Sequence, residues 1–168
     1  MFVLGIDPGL AVTGYGVIRI DVGGPAVPAV AAAGVIRTDA LAAVQDRLAE
    51  LYRDVTSLLG EYRPQSVAME RLFVNRNLQT ASSVARASGV ILLAAAEQGA
   101  AVSEYTPSQV KIAVSGNGKA PKQQVTAMVG RILGITPPLE PADAADALAV
   151  ALCHVQSSKH RLAVEEAL

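Results

Sequence analysis

Apolar residues in the first quarter of the chain occur in short runs that are typical of β-strands. These runs cover residues 2–6, 13–20 and 29–37, and turn residues separate them at Pro8-Gly9 and at 23–25. Short connections of this kind join strands that lie next to each other. The pattern therefore predicts a three-stranded meander at the start of the chain.

The spacing of apolar residues becomes helical after residue 40. Between 41 and 58 apolar side chains recur every three or four positions, as on the buried face of a helix. Gly60 is the predicted C-terminal stop of this helix. A fourth strand is then predicted at 65–69, and Glu70 follows it directly.

The second half of the chain is predicted to be mostly helical. A long helix at 77–98 leads to a fifth strand at 101–105. Thr106 is a suitable N-cap, with Pro at the next position and Gln109 three residues later, so a helix begins there and ends near 115–118. Two further helices are predicted at 122–133 and 142–155.

Length and composition indicate one folded domain. With 168 residues, 51% of them hydrophobic and 17% charged, the chain can bury a large core, which excludes intrinsic disorder. We predict a single domain over residues 1–157 and a polar, frayed tail over 158–168. The single Cys153 cannot form an intramolecular disulfide, and no apolar run approaches the ~18 residues that span a bilayer. We therefore expect a cytoplasmic protein without membrane contact.

The net charge of −1 conceals an uneven distribution along the chain. Residues 71–139 carry seven Lys and Arg side chains against only Glu97 and Glu104, whereas the flanking segments are acidic. A basic segment favours a polyanionic partner such as nucleic acid, although solvated surface charge produces the same asymmetry. Charge alone leaves both interpretations open.

Two acidic residues come at the ends of predicted strands. In GIDPG, residues 5–9, Asp7 either opens a β-turn or holds a cation at the rim of the sheet. This stretch alone does not decide between the two. Glu70 repeats the arrangement at the end of the fourth predicted strand, so the same chemistry occurs twice.

Two more acidic residues lie on the last predicted helix. Asp143 and Asp146 are three residues apart in its first turn, so they project from one face. The helix dipole would explain one acid at this position. Two like charges repel each other unless a cation lies between them. The neighbouring residues are alanines, which allow this helix to approach another element closely.

Together the four acids form an all-oxygen ligand set. Asp7, Glu70, Asp143 and Asp146 suit a hard cation such as Mg²⁺ or Mn²⁺. Two such ions about 3.5–4 Å apart catalyse phosphoryl displacement, because they activate water and stabilise the leaving oxygen. The acids therefore predict metal-dependent hydrolysis of a phosphodiester.

Four segments, in this order, resemble the RuvC family of Holliday-junction resolvases: GIDPGLAVTGYGVIR (5–19), AMERLFVNRN (68–77), ASSVARASGV (81–90) and PADAADALAVALCH (141–154). The resemblance extends from Phe2 to about Val155. It implies an α/β, ribonuclease-H-like fold: a five-stranded mixed sheet flanked by helices, with the second strand antiparallel.

The resemblance also implies an activity, a cofactor and partners. Asp7, Glu70, Asp143 and Asp146 fall on the four catalytic acids of the family and would bind two Mg²⁺ ions. The family acts as a homodimer that cuts two opposed strands of a four-way DNA junction symmetrically, in recombination and repair. Its members act beside the RuvA–RuvB branch-migration complex.

Five other residues are candidate DNA contacts. Phe73 is either a hydrophobic anchor for the next helix or a ring that stacks on a base, and the resemblance favours stacking. Lys111 and Lys122 match basic DNA-binding positions of the family. Arg76 is a candidate because it is close to Phe73. Lys119 shares a glycine-containing loop with Lys122, although an isolated loop lysine is usually just solvated.

A narrow strip of mostly small side chains runs along the long predicted helix, at Ala81, Ala85, Ser88 and Leu92. It permits close packing either against the protein's own sheet or against the same helix of a second subunit. Because two symmetric nicks need two active sites, we predict a homodimer through this helix.

Two other functions are alternatives at this point. Sugar-kinase and actin-like ATPases also begin with a strand, an Asp and a glycine turn, but they need two such domains around the nucleotide. A junction-binding module without catalysis would not need four intact acids. Tight ATP binding would favour the first alternative, and a cleavage assay tests the second.

Overall fold

The computed structural model describes residues 1–21, 27–71, 78–136 and 140–165. Within these ranges five strands form one sheet and five helices cover it. In chain order the elements are β1 (Phe2–Asp7), β2 (Val12–Ile20), β3 (Pro28–Arg37), α1 (Val44–Tyr62), β4 (Ser66–Glu70), α2 (Leu78–Glu97), β5 (Ala101–Tyr105), α3 (Pro107–Ser115), α4 (Lys122–Leu133) and α5 (Ala142–Glu165).

The sheet is mixed, with the strand order β3-β2-β1-β4-β5. Strand β2 runs antiparallel to β1 and β3, whereas β1, β4 and β5 run parallel to one another. The predicted five-stranded mixed sheet with an antiparallel second strand is confirmed. Because β1 and β4 are parallel neighbours, their carboxyl ends lie at the same edge, and these ends carry Asp7 and Glu70.

Both faces of the sheet are covered by helices. Successive side chains of a strand point to opposite faces, so Val3 and Leu4 of β1 belong to two different cores. The core that contains Leu4 includes Leu51 of α1 and Ile91 of α2. The core that contains Val3 is formed with α3, α4 and α5. The result is a three-layer arrangement in which α5 lies under the central strands.

Helix α5 packs against the sheet at glycines. A Cβ atom at Gly5 would lie 2.1 Å from the carbonyl oxygen of Ala147, and one at Gly14 would lie 2.1 Å from that of Asp143. Only residues without a Cβ allow this approach. Gly14 is the register partner of Asp7, so the contact brings the start of α5 next to the end of β1. The close packing predicted from the alanines is confirmed.

Two predicted helix ends are wrong. Helix α1 passes through Gly60 and ends at Tyr62, where Arg63 adopts a left-handed conformation (φ 43°) and donates its backbone N–H to Leu59 O. Pro64 follows and cannot continue the helix. Helix α5 continues past its predicted end at residue 155 to Glu165, and fraying of the tail in solution stays a prediction. None of the helices in the described ranges is long and apolar enough to cross a membrane.

Candidate active site

Three aspartates from two elements meet at one edge of the sheet. Asp7 is the last residue of β1, and Asp143 and Asp146 lie in the first turns of α5. Carboxylate oxygens of these three residues lie within 4.8 Å of one another. The three side chains are half-buried. Residues separated by more than a hundred positions therefore form one cluster of acidic oxygens.

Glu70 lies beside this cluster at the end of β4. It lines a cavity of about 320 Å³ together with Asp7 and Asp146. Glu70 is not one of the three carboxylates that lie within 4.8 Å of one another. Its charge nevertheless raises the pKa of Asp7. The structure thus brings all four predicted acids to the same site, with Glu70 at its side.

The site is strongly anionic and partly dehydrated. Burial, together with the charges of Glu70, Asp146 and Asp143, raises the pKa of Asp7 from 3.8 to about 7, and burial is the largest of these causes. Burial also raises the pKa of Glu70, and Asp146 adds to this effect. Perturbed carboxylates gathered in a cleft are typical of functional sites. A cation in the cluster would relieve the repulsion that raises these pKa values.

Two lysines line the same cavity as the acids. Lys122, the first residue of α4, donates a hydrogen bond of 2.6 Å from Nζ to Oδ2 of Asp146. This bond raises the pKa of Lys122. Lys111 lies on α3, and its charge lowers the pKa of Glu70. Lys122 therefore forms an ion pair with Asp146, a candidate metal ligand. The sequence did not indicate this ion pair.

Local capping fixes the position of Lys111. Thr106 caps α3 by accepting a hydrogen bond from the backbone N–H of Gln109, and the Gln109 side chain accepts one from the backbone N–H of Thr106. This is the predicted capping box. Gly116 ends the helix in a left-handed conformation, within the predicted range. Capping at both ends therefore fixes the backbone of α3, and Lys111 on this helix lines the same cavity as Glu70.

The donor set fits a divalent cation. The three clustered side chains supply only carboxylate oxygens, which hard ions such as Mg²⁺ and Mn²⁺ prefer. Their spacing lets a single ion contact all three carboxylates. Glu70 lines the cavity next to them, together with Asp7 and Asp146. Asp7, Asp143 and Asp146 are therefore the residues that would hold a metal, and a ligand role for Glu70 stays a prediction.

Of the other predicted DNA contacts, the structure describes only Lys119. Lys119 is exposed on the loop between α3 and α4 and does not line the cavity; its backbone N–H bonds to Asn117 Oδ1. Phe73 and Arg76 lie outside the described residues. Their roles stay predictions.

The small-residue strip on α2 has two kinds of surroundings. Ser88 is buried, whereas Ala85 and Leu92 are exposed. Leu93, next to Leu92, is 54% exposed. The core is contacted by a different set of α2 residues, namely Ala87, Ile91, Ala94 and Ala95. Part of the strip is therefore a solvent-exposed apolar surface, and the dimer stays a prediction.

Sequence reasoning missed the residues that hold the turn after Asp7. Thr38 Oγ1 donates a hydrogen bond of 2.5 Å to Leu10 O, and Arg47 Nε donates one of 2.9 Å to Thr38 Oγ1. Thr13 Oγ1 donates one of 2.6 Å to Gly9 O. Thr13 lies inside the first segment of the resemblance. No spacing or composition indicated Thr38 or Arg47, because the bond to Leu10 joins residues 28 positions apart.

Comparison with known proteins identifies a family. The family model for the crossover junction endodeoxyribonuclease RuvC matches residues 3–154. The RuvC protein of Syntrophomonas wolfei is 52% identical over 157 residues, which cover 94% of this chain and 90% of the relative. The RuvC protein of Corynebacterium diphtheriae is 49% identical over 151 residues, covering 90% of this chain and 91% of the relative.

Solved structures agree with the fold. Thermus thermophilus RuvC superimposes with a TM-score of 0.88 at 36% identity, covering 95% of this chain and 96% of that one. The same protein in complex with a Holliday junction substrate gives a TM-score of 0.89 at 37% identity, with the same coverage. The predicted α/β, ribonuclease-H-like fold is confirmed.

Proposed function

The chain belongs to the RuvC family of crossover junction endodeoxyribonucleases, and from this premise we propose that it resolves four-way DNA junctions by metal-dependent hydrolysis. The enzyme makes paired, symmetric nicks in two opposed strands during recombination and repair. Its substrate is the DNA class that is bound in the Thermus thermophilus RuvC complex. The activity is that of a nuclease acting on phosphodiester bonds.

One observation carries this proposal: Asp7, Asp143 and Asp146 place carboxylate oxygens within 4.8 Å of one another. A cluster of this density is costly without a cation, as the raised pKa of Asp7 indicates. Lys111 and Lys122 line the same cavity, and Lys122 is exposed to solvent. An anionic backbone would therefore meet positive charge on its way to the acids.

The four acids act as ligands, with Asp7, Asp143 and Asp146 central and Glu70 at the side. Two bound Mg²⁺ ions, or Mn²⁺ in their place, supply the means to activate water and to neutralise charge on the scissile phosphate. The carboxylates orient the attacking water and the phosphate with respect to each other. The phosphodiester bond breaks on the 3′-oxygen side, so the products carry a 5′-phosphate and a 3′-hydroxyl.

The basic residues bind the DNA backbone. Lys111 and Lys122 already lie in the catalytic cavity and reach the phosphate next to the cut. Lys119 is exposed on the neighbouring loop and contacts a phosphate farther away. Phe73 stacks on a base at the junction centre, where stacking contributes ~1–3 kcal/mol, and Arg76 contacts the adjacent backbone.

The working unit is a homodimer formed through α2. Two nicks at symmetric positions require two active sites related by a two-fold axis. The exposed apolar residues Ala85, Leu92 and Leu93 on α2 support this choice of surface. The dimer acts beside the RuvA–RuvB branch-migration complex, in the cytoplasm, where a free buried Cys153 stays reduced.

A cleavage gel tests the proposal. A synthetic four-way junction, a linear duplex and a flap are each incubated with the protein, with and without Mg²⁺. We expect paired cuts in the junction only, and only with Mg²⁺. Asp7→Asn should retain junction binding and lose cleavage by several orders of magnitude, whereas Asp54→Asn, exposed on α1, should cleave normally.

The same gel separates the alternative of a junction-binding module without catalysis. Such a module would shift the junction in a native gel but leave all strands intact at every Mg²⁺ concentration. Normal cleavage by Asp7→Asn would instead remove Asp7 from the site. Either result overturns the mechanism proposed above.

A further inference from the structure

The turn that follows Asp7 is held from two sides. On one side, the buried Thr13 of β2 donates its hydroxyl to Gly9 O and accepts from Gly9 N at 3.4 Å. On the other, Thr38 follows β3 and donates its hydroxyl to Leu10 O at 2.5 Å and its backbone N–H to Ala11 O at 3.3 Å. Arg47, in the first turn of α1, donates in turn to the Thr38 hydroxyl, so the start of α1 is connected to the turn after Asp7.

The hydrogen bonds around Thr38 have only one possible direction. Arg47 Nε carries a hydrogen and has no lone pair to offer, so the Thr38 oxygen accepts this bond, at 2.9 Å. The carbonyl of Leu10 can only accept, so the single hydroxyl hydrogen of Thr38 points to it. A charged donor polarises the hydroxyl and strengthens the second bond of the chain.

From this geometry we infer that Arg47 and Thr38 are positioning residues for Asp7. Neither side chain belongs to the acidic cluster, and neither lines the cavity. They act through the backbone of residues 9–11, which fixes where the Asp7 carboxylate stands relative to Asp143 and Asp146. The inference rests on the proposed function, since it assigns Asp7 a role in metal binding.

The effect of losing this chain of bonds can be estimated. Metal sites need ligands held to within about half an ångström. Residues that orient a ligand through hydrogen bonds typically change metal affinity or activity by about 10–100-fold when they are replaced. Since the Thr38 hydroxyl is buried, water cannot take its place without rearrangement of the turn.

The test compares variants of the full-length chain. Thr38→Val keeps the shape and removes the hydroxyl, and Arg47→Met removes the charged donor. We expect each to weaken Mn²⁺ binding in calorimetry without DNA by about 10–100-fold. Single-turnover cleavage at saturating junction should fall by a similar factor. The junction dissociation constant in EDTA should stay unchanged.

Two controls separate positioning from general stability. Thr38→Ser retains the hydroxyl and should restore Mn²⁺ affinity and rate to near the values of the natural chain. Val55→Ala makes a cavity in the same α1 helix, on its buried face, and lowers stability without touching the turn. If it weakens Mn²⁺ binding as much as Thr38→Val does, the positioning role is overturned.

A double variant tests whether Arg47 acts through Thr38. If Arg47 acts through Thr38, then Thr38→Val combined with Arg47→Met should be no worse than Thr38→Val alone. Additive losses, or a weaker junction dissociation constant for Arg47→Met in EDTA, would mean that Arg47 acts independently and would overturn the inference. Should Thr38→Val not fold, Arg47→Met and its rescue by Arg47→Lys carry the same measurements.

Failure of this inference can be distinguished from failure of the proposed function. If Asp7→Asn abolishes cleavage while Thr38→Val and Arg47→Met bind Mn²⁺ and cleave as the natural chain does, only the positioning role is wrong. If Asp7→Asn cleaves normally, the proposed function itself fails.

Discussion

The ionised carboxylate of Asp7 is destabilised by repulsion from the neighbouring acids, and a bound metal ion would relieve this repulsion. The carboxyl of Asp7 is removed from water and surrounded by three other acids, and both effects raise its pKa to about 7. Lys122 lowers this pKa but does not offset burial and the three neighbouring carboxyls. Because this pKa is raised, the metal-free site holds a proton on Asp7 at a higher pH than an ordinary carboxyl does, and metal binding has to displace it.

The first prediction concerns the stability of the metal-free protein. Asp7 stays protonated up to a pKa of about 7 when folded but ionises near 3.8 when unfolded, so the folded state binds more protons in between. The free energy of unfolding should therefore fall as the pH rises from about 4 to about 8. About three pKa units correspond to a loss on the order of 4 kcal/mol. Urea unfolding in EDTA over this pH range measures it.

The control for this prediction is Asp7→Asn, which has no proton to lose. Its stability should vary much less over the same pH range, apart from the smaller contribution of Glu70, whose raised pKa acts in the same direction. Mn²⁺ should restore the stability of the natural chain at pH 8 more than that of the variant. Identical slopes for the two proteins would contradict the raised pKa of Asp7.

The second prediction uses Lys122 and its neighbour in the loop. Lys122 lowers the pKa of Asp7 and of Glu70. Lys122→Met should therefore extend the stability loss described above to higher pH, because the pKa of Asp7 rises in the folded state and stays near 3.8 in the unfolded state. Lys119→Met, exposed and outside the cavity, should leave the curve in place. A shift of equal size in both variants would show that only net charge matters.

Single residues reveal which parts of the site a sequence can predict. The four acids are recognisable because a carboxylate at a strand end or on an alanine-rich helix face is unusual locally. The partner of Lys122 is not recognisable, because its bond to Asp146 joins residues 24 positions apart. Thr38 and Arg47 are ordinary in their own segments, and only the fold brings them to the Asp7 turn.

At the scale of elements, sequence signals predicted a helix end correctly only where the residues next to that end determine it. The start of α3 follows from its capping box, and α4 has its predicted bounds. The end of α1 was predicted at Gly60 but lies at Tyr62, because the bond from Arg63 to Leu59 and the following Pro64 set it. The alanines of α5 predicted close packing, but the glycines that receive it lie on β1 and β2.

The third prediction tests this contact between helix and sheet. A Cβ at Gly5 would lie 2.1 Å from Ala147 O and 2.8 Å from Ala151 Cβ, so Gly5→Ala must displace α5 and the two aspartates it carries. We expect a loss of about 1–3 kcal/mol in stability and weaker Mn²⁺ binding in calorimetry, by about tenfold or more.

Gly60→Ala is the matched control for that substitution. Nothing lies within 4 Å of a Cβ at Gly60, which is inside helix α1. Alanine there should stabilise the protein by about 0.5–1 kcal/mol, because glycine loses more backbone entropy in a helix. Mn²⁺ binding should not change. Unaltered Mn²⁺ affinity in Gly5→Ala would show that the glycine contact does not position the acids.

At the scale of the whole molecule, the two helical layers carry different kinds of residues. The layer of α3, α4 and α5 carries Lys111, Lys122 and the two helical aspartates. The layer of α1 and α2 carries none of the clustered acids and leaves Leu92 and Leu93 exposed. We therefore expect the layer with the lysines and aspartates to face the DNA, and the other layer to be available for a second subunit. A single chain's pattern shows which residues are apolar but not which of them stay uncovered.

The last prediction tests that division. Leu93→Glu should convert the dimer into a monomer at micromolar concentration, because Leu93 is 54% exposed on α2 and a charge at a two-fold interface is buried near its own copy. Junction cleavage should change from paired cuts to single nicks. Ile112→Glu places the same charge at a 55% exposed position on α3, across the sheet, and should remain dimeric. Sedimentation equilibrium measures the mass of both variants and of the natural chain. A monomeric natural chain would contradict the predicted dimer.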